Sequence, residues 1–172
     1  RGEFDTGREL GDATAIVITI EPSGDVDTIP ADTHYLAGGV VSGAATLSVG
    51  HGAALGDDFG GAGGKYILAT PTNGGDTDEN SGIWFLDLPS TGPAVGLDLP
   101  GLPAGWEYEG WVVMDGTPVT SGRFLVADEA DFSAPHSGPQ DGPQFPGEDY
   151  LENAPNGLTF PTDLAGGVAV IS

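Results

Sequence analysis

Short runs of alternating apolar and polar residues recur along this chain, and few stretches keep the 3.6-residue period of an amphipathic helix. The clearest run is residues 13–21, Ala-Thr-Ala-Ile-Val-Ile-Thr-Ile-Glu, closed by Pro22. Ile16, Ile18 and Ile20 fall on one strand face, with Val17 and Thr19 on the other. Further strands are expected around Val40-Val41 and over residues 44–49, 65–70, 83–88, 95–99 and 168–172. The densest pattern is residues 106–127, which reads as two strands joined through Asp115-Gly116. Asp-Gly is a strong hairpin signal because both central residues tolerate φ > 0. Pro118 lacks a ladder donor and belongs at the start of the returning strand or on a sheet edge. Trp106 and Trp111, two of the three tryptophans, lie in this hairpin, so it is expected to nucleate much of the core.

Between these runs the chain is punctuated rather than helical. Thirty glycines and fourteen prolines in 172 residues argue for an all-β class. Residues 50–64 are glycine-rich without periodicity and read as a flexible connection. Residues 128–164 hold six prolines and the bulky side chains Phe132, Phe145, Tyr150 and Phe160. They read as a long irregular excursion held down by those side chains, with a helix hint only near residues 148–153. Long structureless segments inside compact domains are uncommon and often functional. The expected architecture is a β-sandwich of about eight short antiparallel strands carrying this Pro/Gly-rich excursion, with a barrel as the alternative. Residues 1–12 read as a loose N-terminal segment and residues 13–172 as one domain.

Charge changes the picture of the surroundings. Four basic residues face 26 acidic ones, for a formal net charge of −22. Such a surface repels nucleic acid and anionic membranes, and its self-repulsion weakens the compact state at low ionic strength. Near 1 M salt the Debye length falls to about 3 Å and that penalty largely disappears. The near-absence of lysine and the spread of acidic residues favour a protein of a salt-rich setting over an ordinary acidic secreted one. No apolar run approaches the roughly 20 residues of a membrane span, so no span is expected. There is no cysteine, which excludes disulfides and thiolate metal sites.

The hairpin carries a family likeness. Tyr108-x-x-Trp111-x-Val113-x-Asp115-Gly116-x-Pro118-Val119-x-Ser121-Gly122-x-Phe124 resembles the extracytoplasmic C-terminal domain of anti-sigma-K-type factors. Upstream, Leu97-Asp98-Leu99-Pro100-Gly101-Leu102-Pro103 is similar to the short strand and turn that precede that hairpin in the family. The run from Ile16 to Pro22 resembles the Val-x-[Val/Ile]-[Ser/Thr]-[Ile/Val]-Glu-Pro motif with which such domains close. Here that motif stands at the front, and the closing copy stops at Val170-Ile171-Ser172, short of its Glu-Pro. The resemblance covers residues 97–124 and implies an exported, non-catalytic β-sandwich at the cell surface or outside the cell. It does not imply anti-sigma activity, because the family's sigma-binding helical domain and membrane helix are not in these residues.

Candidate chemistry is sparse. Asp76-Thr77-Asp78-Glu79-Asn80-Ser81-Gly82, with Asp87 beyond, places oxygen donors at alternate positions, as a hard cation such as Ca²⁺ requires. Ser81 stands where an EF-hand loop needs glycine, and Asp87 where it needs glutamate. The alternatives are therefore a calcium site on Asp76, Asp78, Asn80 and Asp87, or a solvated acidic turn. Asp131, Ser133 and His136 contain the residue types of a hydrolase triad but lack the strand-turn-helix elbow, so no enzyme is expected. The glycine-rich stretch around His51 has neither a following helix nor a basic group to receive phosphate. Trp84, Trp106, Tyr108 and Trp111 are either core residues or a sugar-stacking platform. Two functions remain. One is a protein-interaction or sensor-like module; the other is a structural subunit of an extracellular filament or surface assembly, self-associating by strand addition.

Overall fold

The computed structural model describes residues 11–172. The protein is all-β, built from small antiparallel sheets. The helical segments among the described residues are two three-residue 3-10 turns, Pro71–Asn73 and Glu79–Ser81. The chain forms two compact units. One holds the described residues up to Gly60 together with Leu102–Trp106; the other holds Gly61–Gly101 and Glu107–Ser172. Most of the N-terminal segment 1–12 lies outside the described residues.

The first unit is a three-stranded sheet, β1 (Ala15–Thr19), β2 (His34–Val41) and β3 (Ala44–Ala45), in that order. β1 pairs with β2 from Ala15 opposite Gly39 to Thr19 opposite His34, with a register shift after Ile18. The expected strand over residues 44–49 is reduced to β3 and a single bridge from Ser48 to Ala37. The short strand expected at Val40-Val41 is the end of a longer one that begins at His34. Gly38 accounts for that close packing, since a Cβ there would collide with the Thr46 carbonyl. Burial is slight: Ala37, Gly38 and Ala54 are the buried residues of segment 11–60.

The second unit carries ten strands: β4 (Gly63–Gly64), β5 (Ile67–Leu68), β6 (Ile83–Trp84), β7 (Leu86–Asp87), β8 (Ala94–Val95), β9 (Leu97–Asp98), β10 (Tyr108–Met114), β11 (Thr117–Phe124), β12 (Gly147–Glu148) and β13 (Val168–Ile171). Its longest sheet runs β11-β10-β13, and a second runs β12-β6-β5. The hairpin forms as its pattern predicts. Asp115 and Gly116 take φ 49 and 79, the mirror-image turn that matches strand twist, and Pro118 sits near the start of edge strand β11. Along β10, Tyr108, Gly110, Val112 and Met114 are buried while Glu109, Trp111 and Val113 are half-buried, the period-2 signature of a sheet with one core face.

The core differs from expectation in its tryptophan. Trp111 is half-buried and Trp106 belongs to the first unit, against Tyr35, whereas Trp84 is 3% exposed. Trp84 packs with Ile83, Phe85 and Leu86, which form a continuous apolar run buried on both faces. The run expected as one strand, 83–88, is split at Phe85, whose N–H turns aside to the Pro146 carbonyl at 2.9 Å.

Candidate functional site

The proline-rich segment 128–164 is irregular, as its composition predicts, apart from the two residues of β12. The helix hint near residues 148–153 is not realised. Gly147 and Glu148 instead pair with Trp84 and Ile83 of β6, and Glu148, Asp149 and Tyr150 lie in the interior, Tyr150 with φ 43 rather than extended backbone. All three are fully buried. Of the anchoring side chains expected from the sequence, Tyr150 is buried and Phe145 and Phe160 are half-buried, while Phe132 is 55% exposed.

Each buried carboxylate is held by neutral donors. Asp149 Oδ2 accepts the Thr72 N–H at 2.7 Å and its hydroxyl at 2.5 Å, and Oδ1 accepts the Trp84 indole N–H at 2.7 Å. Glu148 accepts the Ser137 hydroxyl and the backbone N–H groups of His136 (3.1 Å) and Asp149 (3.1 Å). Tyr150 donates its hydroxyl to the Thr120 carbonyl at 3.0 Å. Its ring stacks on His136, and both rings contact Phe160. Burial raises the pKa of Glu148 and Asp149 above the ordinary carboxylate range, because these donors only partly offset desolvation. Burial also raises the Tyr150 phenol, and the nearby Glu148 charge adds to the effect.

Asp131 occupies a second position on the same segment. Its Oδ1 accepts the Ser133 N–H at 3.2 Å and its Oδ2 the Gly147 N–H at 2.9 Å. Its carboxyl lies against the α-carbon of Gly122, where any Cβ would collide with it. Gly122 also has φ 108, so glycine is required twice over. This is the bulge in the β10–β11 ladder, where the register shifts after Gly110. Burial pushes the Asp131 pKa up to about 6, against the pull of the two backbone donors.

The residues singled out from sequence are placed as follows. Asp78 and Asn80 line one cleft with Glu79 and Asp163. Asp78 takes φ 56 at the head of the 3-10 turn. Asp76 and Asp87 are not among the residues lining that cleft. Asp87 lies in β7 and pairs with Lys65 Nζ at 2.5 Å, which lowers its pKa. Among the described residues, no group of three or more His, Cys, Asp or Glu is positioned to hold a metal ion. The triad types are used separately: Ser133 gives its backbone N–H to Asp131, and the His136 ring is buried against Tyr150 and Phe160. Trp84 and Tyr108 are core residues, and the half-buried Trp111 donates its indole N–H to Ser172 at 3.0 Å.

Thr72, Glu148 and Asp149 were not distinguishable as a cluster in the sequence, where they stand 76 or 77 residues apart in an acidic chain. The one usable signal was Tyr150, a bulky residue within the proline-rich segment. Comparison of the chain with protein-family models, with curated proteins and with solved structures yields no match. Among the described residues, no helix is long and apolar enough to cross a membrane.

Proposed function

We propose that this chain is a non-catalytic module of an exported protein and acts by binding other proteins, as its resemblance to the outer domain of anti-sigma-K-type factors suggests. In this reading the small sheets are parts of a β-sandwich, and the acidic surface suits a salt-rich extracellular or cell-surface setting. The observation that carries the reading is the exposed apolar surface of the first unit. Val17, Ile18 and Ile20 are 38–50% exposed, Tyr35 43% and Val41 74%. The second unit also exposes apolar residues, among them Leu88, Leu125 and Val168, but it has a buried core as well. The first unit buries little else, and a contiguous exposed apolar patch is what marks an interaction surface. Use of Asp131, Glu148 and Asp149 as acceptors for internal donors supports a structural rather than catalytic role for the buried carboxylates.

A second reading, a filament subunit built by strand addition, is favoured by one specific feature. β1 lies at the edge of its sheet and pairs with β2 of its own chain through a shifted register, an arrangement open to exchange with a neighbouring copy. One experiment separates the two. A photo-crosslinking residue at Ile18, with a control at the exposed turn residue Asp115, should give adducts from Ile18 alone in intact cells. Adducts to a different protein support the module, and adducts to the chain itself support the filament. Equal yields from both positions would sink both readings.

A further inference from the structure

The segment 128–164 returns on itself, and residues 130–134, 141–145 and Gly147 line an open cleft of about 290 Å³. Its lining includes Asp131, Phe132, Ser133, Asp141 and Phe145, with Trp84 behind them. We propose that this cleft binds an organic cation, an alkylammonium group, with Asp131 and Asp141 as its counter-charges and the Phe132 and Phe145 rings as its apolar walls.

Three observations carry the assignment. The first is unbalanced charge. No basic side chain lines the cleft, and the two cations of the described residues are engaged elsewhere, Lys65 with Asp87 and Arg123 with Glu107. The second is unused acceptor capacity. A carboxylate offers about four lone-pair sites, and Asp131 fills two of them with the Ser133 and Gly147 N–H groups. Its partial burial leaves a desolvated charge without a counter-ion, which an arriving ammonium would supply. The third is an exposed ring lining the same cleft. Phe132 is 55% exposed although it directly follows the inward Asp131, so it does little for the core. A cleft lined by both an aromatic ring and a carboxylate offers an alkylammonium group cation–π attraction and ion pairing together.

Other ligand classes fit less well. An anion would meet two carboxylates. A hard metal ion has no use for the phenyl walls, and no set of three His, Cys, Asp or Glu ligands is gathered among the described residues. A neutral sugar would leave the Asp131 charge uncompensated. The volume lies just below the roughly 300–1,000 Å³ typical of small-ligand sites, which suits a compact headgroup. These residues are distinct from the β1–β2 surface, so this inference does not depend on the interaction-module reading.

The test is a titration of the whole chain followed by amide NMR in about 1 M salt, which screens non-specific attraction to the acidic surface. The probes are choline, N-acetyl-lysine methylamide and the uncharged choline isostere 3,3-dimethylbutanol. Either cation should give saturable shifts at the Ser133 and Gly147 amides, and the isostere none. Tighter binding of choline assigns a free quaternary amine, and tighter binding of the lysine derivative assigns a partner's side chain. Asp131→Asn should weaken binding by about tenfold or more, the loss of an ion pair in a partly desolvated site. Phe132→Ala, at an exposed position that leaves folding intact, should weaken it severalfold. Affinity should also fall as the pH drops below the Asp131 pKa of about 6. No saturable shift with either cation, equal shifts with the isostere, or full binding by Phe132→Ala would overturn the proposal.

Discussion

The two units solve the same problem, making β-structure from a glycine-rich acidic chain, by different means. The first orders a regular eight-residue strand, β2, yet within segment 11–60 it buries little beyond Ala37, Gly38 and Ala54. The second contains many strands of two residues, yet it buries Ile83, Trp84, Phe85, Leu86, Val112, Phe124 and Tyr150. Regular hydrogen bonding and burial are therefore uncoupled here. Ladder bonds exchange for bonds to water and contribute about 1 kcal/mol net each, whereas a fully buried large side chain contributes about 1.5–3 kcal/mol. The irregular segment 128–164 is thus expected to be more firmly held than the regular β1–β2 pair.

The largest test of this contrast is Asp149→Ala. It strands three donors, the Thr72 N–H and hydroxyl and the Trp84 indole N–H, at about 1–3 kcal/mol for each buried group left unsatisfied. Urea unfolding should register a loss of about 3 kcal/mol or more. A loss below 1 kcal/mol would show that the segment is not pinned by this carboxylate. Native-state hydrogen exchange reads the contrast directly. The amides of Val112 and Val119 should outlast those of Ile16 and Ile18 by ~100-fold or more, and similar protection in both units would break the comparison.

The pH dependence has a definite sign. The folded-state pKa of Asp131 is raised from 3.8 to about 6, so between those values the folded chain holds more protons than the unfolded one. Stability is therefore gained as pH falls through about 6 and is fully present below 3.8, and it is lost on the way up. Glu148 and Asp149 shift in the same direction. After allowance for solvent screening of the partly exposed Asp131, its share is about 2 kcal/mol. The net charge of −22 acts with the same sign, but molar salt removes that part. A urea midpoint in high salt that does not change between about pH 7 and pH 4 would deny the carboxylates their buried character. At neutral pH the midpoint itself should rise from low to molar salt, by relief of self-repulsion. The smallest effect is expected in the first unit: Val41→Thr, at a 74% exposed position, should change stability by no more than about 0.5 kcal/mol.

The legible parts of this molecule were those with local causes. Residues 15–19 and 108–124 carry their period-2 alternation and an Asp-Gly turn within a few residues, and both form strands. The alternation shows in the burial of β10, whereas β1 is shorter than its pattern and loses it at the register shift after Ile18. Six prolines kept residues 128–164 from regular structure, whatever they packed against. Composition alone determined the all-β class and the acidic surface, because glycine, proline and charge act on any fold. Tertiary structure alone decided which apolar runs are core. Ile16 to Ile20 and Ile83 to Leu86 are similarly apolar, but only the second is covered on both faces. It likewise decided that, of 26 acidic residues, Glu148 and Asp149 are fully buried and Asp131 half-buried, while Asp76 and Asp78 stay exposed. Desolvation depends on which segments pack over a side chain, and for Asp149 the partner residues are Thr72 and Trp84, 77 and 65 positions away.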